Sequence, residues 1–335
     1  MRTFLATCLK LAMVAGLIYW LVDSGKLDFH QLSLLVQDPV IFFSNLAVWG
    51  MGYILLGTFR WYILLRGVGV EVAFFRAMQL QLIGIFFNTA MPGAVGGDIV
   101  KALYVIREQQ TQRKTATMLT VLLDRVIGLA ALFVLAGVAV AVNWSFFVGN
   151  TALMPLMIFV MVGLGGLLVG FGVVMYPFRP GRDPLDWVLR VRVPGFGLLA
   201  KLYEAMRSYR KRPLTLVMAV GLSCIIQCGA IAYALLLTKR LTGQTPDLAV
   251  FGTIFPIGIM TTALPLAPGG LGVGHVAFEK LFSMVGLTQG ANVFNLMVLG
   301  QLSLNLIGVV PYLMYRTKLP PMSELQTQAK RVAEG

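Results

Sequence analysis

The chain has 335 residues, of which 58% are hydrophobic and only 12% charged. A soluble domain carries about twice that share of charge, so a water-soluble globular fold is excluded. The formal net charge of +13 is read as the excess of Lys and Arg on the cytoplasmic loops of a membrane protein, not as a nucleic-acid footprint.

Apolar stretches then recur along the chain and predict an all-α polytopic membrane protein, folded as a single membrane domain over 1–335. The first stretch, about 4–22, is long and is followed by no small-x-small cleavage site. It reads as a retained helix rather than a signal peptide. The loop that follows, to residue 39, holds Asp23, Asp28 and Asp38 against Lys26 and reads as outside. Further full spans are expected at about 40–65, 113–142, 151–176, 213–238 and 291–316, giving six in all. Cys8, Cys224 and Cys228 fall in apolar stretches and read as packing residues. The glycines of the fourth span (Gly163, Gly165, Gly166, Gly170, Gly172) allow close helix approach, within the protein or in a homodimer, with internal packing the simpler reading.

Two stretches, about 74–107 and 248–286, stand apart. Each carries at its middle one copy of a nine-residue phrase. Thr89-Ala90-Met91-Pro92-Gly93-Ala94-Val95-Gly96-Gly97 returns as Thr262-Ala263-Leu264-Pro265-Leu266-Ala267-Pro268-Gly269-Gly270, with six identities at an offset of 173 residues. Pro and paired Gly break a helix, and a break at membrane depth is tolerated only where protein or a water-filled cavity covers the freed backbone. Each half-stretch of roughly 15 residues would reach about 22 Å, short of the ~30 Å hydrocarbon core. Both stretches are therefore expected to be re-entrant helical hairpins.

The charges give the topology. Arg66, Arg76, Arg107, Arg113 and Lys114 flank the first hairpin, the link 177–212 holds nine basic residues, and Arg316, Lys318, Lys330 and Arg331 lie at the end. All of these fall inside if both termini are cytoplasmic, with Lys239 and Arg240 the outside exception. The units 40–142 and 213–316 (span, hairpin, span) then enter the bilayer in opposite senses. That is an inverted-topology repeat, a pattern that places a transport site where the broken helices meet. Segments 1–39, 143–212 and 317–335 are the first span with its outer loop, the fourth span with a basic cytoplasmic link, and a tail. The link reads either as a basic amphipathic surface helix or as an ordinary positive loop.

Ionisable residues at membrane depth are costly and default to functional candidates. Asp98 follows the first Gly-Gly, Lys101 lies three residues on, and Asp124 and Arg125 lie a third of the way into the third span. Arg60 sits near the cytoplasmic end of the second and reads equally as snorkelling. Lys101 and Arg125, with Arg60, suit an anionic head group. The backbone N–H groups of Gly96, Gly97, Gly269 and Gly270 suit the same charge. Asp98 is expected to cap its half-helix or to orient Lys101 or Arg125, and a purely charge-neutralising role for the cluster stands beside the binding one. Pro92, Pro265, Asp124, His275 and Glu279 are gating or coupling candidates. The last two, four residues apart, read as a hydrogen-bonded pair or a proton relay. Two His are too few for a zinc site, and no GxSxG or Walker loop occurs. No metal, cofactor or catalytic residue is expected.

Taken together, Asn88, Pro92, Gly96-Gly97-Asp98, Lys101, Asp124-Arg125 and Pro265…Pro268-Gly269-Gly270-Leu271-Gly272 resemble the membrane region of the lysylphosphatidylglycerol synthase/flippase family. The resemblance implies a lipid-translocating fold with re-entrant helices, here standalone without the aminoacyl-transferase domain, so lysine transfer is not implied. Where many relatives carry an acid after the second Gly-Gly, this chain has Gly274-His275. The expected function is an inner-membrane lipid flippase with an anionic lipid head group as its partner. Transport of a small ion or solute, or an accessory role beside a membrane glycosyltransferase or lipid-modifying system, are the alternatives.

Overall fold

The computed structural model describes residues 35–90, 96–108, 113–176, 203–262 and 273–314. The first expected span, Pro92, Pro265, Gly269, Gly270, most of the basic link and the tail lie outside these residues. The described residues are helical with no strand, and the chain is an all-α polytopic membrane protein. Five helices are long and apolar enough to cross a membrane: α1 Pro39–Gly67, α4 Lys114–Val142, α6 Met154–Met175, α7 Pro213–Thr242 and α10 Gly290–Met314. They fall on five of the six spans expected from hydropathy.

Local chemistry sets the helix ends. Asp38 accepts the N–H groups of Val40 (2.8 Å) and Ile41 (3.4 Å), and Pro39 opens α1. The middle of α1, Leu46–Leu56, is π-helical, a form that recurs at functional sites. Pro213 opens α7, and Gly243 closes it in the left-handed region with Lys239 and Arg240 in its last turn. Arg240 pairs with Asp38 at 3.3 Å. Of the two residues that stood as the exception in the charge pattern, Arg240 is thus paired with an acid, Asp38.

Between the spans lie α2 Phe74–Ala90 and α3 Gly96–Glu108, then α8 Leu248–Thr262 and α9 Val273–Met284. A short helix, α5 Trp144–Gly149, joins α4 to α6. The four hairpin arms have 17, 13, 15 and 12 residues, or about 18–26 Å each. Asp247 caps α8 through Ala249 and Val250, and a bidentate ion pair of Arg76 with Glu108 ties the open end of the α2–α3 hairpin.

The two units pack by exchange. The first arm of each hairpin lies against the last span of the other unit, α8 on α4 and α2 on α10. The contacts are close. A Cβ on Gly308 of α10 would fall 2.0 Å from the Leu82 carbonyl of α2, and one on Gly252 of α8 would fall 3.3 Å from Ala139 of α4. Within the first hairpin, a Cβ on Gly97 would fall 1.8 Å from the Gly84 carbonyl, so only glycine fits that crossing.

The expectation of internal packing for the α6 glycines holds only in part. A Cβ on Gly163 would strike Phe133, but Gly165, Gly166, Gly170 and Gly172 have nothing within 4 Å among the described residues. Gly166, Gly170 and Gly172 are exposed, and among the described residues α6 packs on α4 and α5. Cys228 is likewise exposed rather than packed.

Candidate functional site

Where the two units meet, a cavity of about 400 Å³ opens between α1, α2, α3, α4, α7, α8 and α10. Its lining follows the repeat. Eight pairs of lining residues stand 173 positions apart, the offset of the repeated phrase. Tyr53 matches Ile226, Thr89 matches Thr262, Arg125 matches Val298, Gly128 matches Gln301 and Leu132 matches Asn305; the rest are Gly57 with Ala230, Asp124 with Met297 and Leu129 with Leu302. Sixteen of the 27 lining residues are thus paired by the repeat offset.

All five charged lining residues come from the first unit. Arg60 holds Asp124 side-on, Nε to Oδ1 at 2.7 Å and Nη2 to Oδ2 at 3.0 Å, while its Nη1 donates to Ser223 Oγ at 2.7 Å. Arg60 thus turns inward across three helices, and the snorkelling reading is set aside. An acceptor on α4 and another on α7 take three of its five donors.

Asp98 joins the other two cations. Its Oδ1 lies 3.0 Å from Lys101 Nζ, and its Oδ2 accepts Arg125 Nε at 2.7 Å. Lys101 also donates to Gln81 Oε1 at 2.9 Å and lies 4.6 Å over the Trp61 ring. Trp61 is fixed in turn by its N–H bond to Thr120 Oγ at 3.2 Å. Lys101 is only 1% exposed, whereas the Arg125 side chain is 35% exposed. Lys101 therefore anchors Asp98, and Asp98 holds Arg125 against the cavity. Both Arg125 contacts go to one carboxylate oxygen, so its Nη1 donors are not used by Asp98.

Two sequence expectations change. The N–H of Gly97 is taken by Asn88 Oδ1 at 2.9 Å, and the residue is glycine for the close crossing with Gly84, not to offer a donor. Gly96 stands beside it at the start of α3. His275 and Glu279 have separate tasks: the His275 ring lies 3.3 Å from Asn295 Oδ1, and Glu279 accepts the N–H of Ala291 at 2.9 Å, capping α10. Neither lines the cavity, and each is claimed by α10 before it can serve its neighbour.

Residues not picked out from the sequence also line the site. Gln81 completes the Lys101 cradle, Asn305 Nδ2 donates to Thr89 Oγ1 at 3.0 Å across the units, and Gln227 and Gln301 line the same cavity. Their signal was a neutral amide inside an apolar span, with Gln301 and Asn305 at the repeat offset from Gly128 and Leu132. Among the described residues no group of three His, Cys, Asp or Glu is placed to hold a metal.

The lysylphosphatidylglycerol synthase transmembrane region matches residues 7–301. The chain belongs to this family. It is similar to a UPF0104 membrane protein of Methanothermobacter thermautotrophicus, 24% identical over 310 residues and covering 85% of each chain. A UPF0104 membrane protein of Pyrococcus horikoshii is 20% identical over 304 residues, covering 86% of this chain and 89% of its own. No solved structure matches the chain.

Proposed function

We propose that this chain is a lipid flippase of the inner membrane, with cytoplasmic termini, which carries an anionic lipid head group between leaflets while the tails stay in the bilayer. One observation carries the reading: Arg125, braced by Asp98 and Lys101, presents spare donors to a cavity on the seam of two exchanged repeat units. A volume of about 400 Å³ is at the small end of ligand pockets, enough for a head group and too little for a whole lipid. Five charges at membrane depth are costly to keep for packing alone. Rocking of the two units about their seam, with α2–α3 and α8–α9 as re-entrant hairpins, would open the site to each side in turn.

The test is translocation of a tail-labelled anionic phospholipid in liposomes carrying the purified protein. Arg125→Ala should fall to the rate of protein-free liposomes. Full activity of that variant would show that the cluster only locks the fold, and the reading would fail.

A further inference from the structure

The charges of the site can be counted, and the count constrains the head group. Three cations and two carboxylates line the cavity among the described residues, which leaves one positive charge. A single anionic group brings the site to neutrality. A dianion would reverse its sign at a depth where unbalanced charge is costly.

The carboxylates are committed. Asp98 gives one oxygen to Lys101 and the other to Arg125, and Asp124 gives both to Arg60. An ammonium entering the cavity would find no carboxylate oxygen without a cation already on it, and three cations close by.

The uncharged part of the wall has a different character. It offers the amides of Gln227, Gln301 and Asn305. Gln227 and Gln301 have no side-chain hydrogen-bond partner among the described residues, while Asn305 already bonds Thr89. A primary amide both donates and accepts, as a hydroxyl does. Two free amides in the same cavity as one exposed guanidinium fit a group that is ionic at one end and hydroxylated at the other.

We infer that the head group is a singly charged anion bearing hydroxyls and no amine, such as a phosphodiester of a polyol. This rests on the flippase reading and narrows it. Within a family named for an aminoacylated lipid, it assigns this cavity to a head group without the amine.

The test uses liposomes containing the wild-type protein and tail-labelled lipids that differ only in the head group: phosphoglycerol, phosphoethanolamine, or a phosphate monoester. Phosphoglycerol should move about ten-fold faster or more than the other two, since a misplaced like charge at a buried site is costly. Gln301→Glu, which puts a carboxylate on the amide wall, should raise the phosphoethanolamine rate relative to phosphoglycerol. The wild-type comparison needs no variant to fold. Equal or faster movement of phosphoethanolamine, still abolished by Arg125→Ala, would overturn the head-group inference and leave the flippase reading standing. Movement of none of the three above protein-free liposomes would overturn both.

Discussion

The first repeat unit (α1 to α4) and the second (α7 to α10) have the same order of helices and line the same cavity, yet their charges differ. Positions 173 residues after Arg60, Asp98, Lys101, Asp124 and Arg125 hold Tyr233, Leu271, Gly274, Met297 and Val298. The difference separates two jobs. The shared backbone sets the seam, and it needs only small residues and breaks at matching places. Charge is needed once. A second cluster at the matching positions would add two carboxylates and three cations to the same water-poor cavity, each requiring its own partner.

The comparison breaks most severely at Asp98, which holds two cations from the first unit with no counterpart in the second. Asp98→Asn leaves Lys101, 1% exposed, and Arg125 without their shared counter-ion. Loss of one partner from a buried pair costs about 3–5 kcal/mol. The expected result is a large fall in thermal stability in detergent together with loss of lipid translocation. Wild-type stability and transport in this variant would show that the shared counter-ion has no bearing on the fold.

The glycine crossing is next. Gly97→Ala places a methyl carbon 1.8 Å from the Gly84 carbonyl, a contact that backbone must move to relieve. Overpacking of this kind costs about 1–3 kcal/mol, read as a lower melting temperature with the charges unchanged. A variant as stable as wild type would show that the α2–α3 crossing is wider than described.

Arg125→Lys sharpens the comparison without altering net charge. The ammonium can still reach Asp98, so stability should change little. Its compact charge cannot hold one carboxylate oxygen and still present a planar fork to the cavity. Lipid translocation should drop about ten-fold, as expected when one charge-assisted hydrogen bond worth roughly 1.5 kcal/mol is lost. Wild-type transport in this variant would mean that charge alone, not fork geometry, engages the head group.

How far the sequence could be read follows from the same contrast. Five spans were legible because runs of apolar residues have no other stable use, and the paired helices α2–α3 and α8–α9 because Pro and Gly-Gly recur between them at one offset. The charged residues stood out because their cost at depth is high. Their pairing was only half legible. Asp98 with Lys101 follows from three-residue helical spacing, and Arg125 was a candidate partner. Arg60 with Asp124 joins helices 64 positions apart in sequence, and no local pattern encodes that. Asp124 and Arg125 are adjacent, yet they serve different helices because successive side chains leave an α-helix about 100° apart. The amide wall stayed hidden because a lone Gln or Asn in a span looks like any interhelical bond. At Gly97 the glycine phrase marks close packing against Gly84, with the N–H already taken by Asn88.

The smallest expected effect is at Glu279, and it tests the second unit alone. Its carboxylate accepts the Ala291 N–H at the start of α10, where an acid also favours the positive end of the helix. Glu279→Gln keeps a hydrogen-bond acceptor of similar reach and removes only the charge. The interaction of one charge with a helix terminus is worth about 0.3–1 kcal/mol, so a small drop in melting temperature is expected. Translocation at saturating lipid should stay within the error of wild type, and its pH dependence should be unchanged, since the residue lies away from the cavity. A strong loss of transport or a shifted pH profile with an intact fold would restore Glu279 and His275 as a proton-coupling element. The second unit would then carry ionisable function of its own, and the division between a charged half and a neutral half would no longer hold.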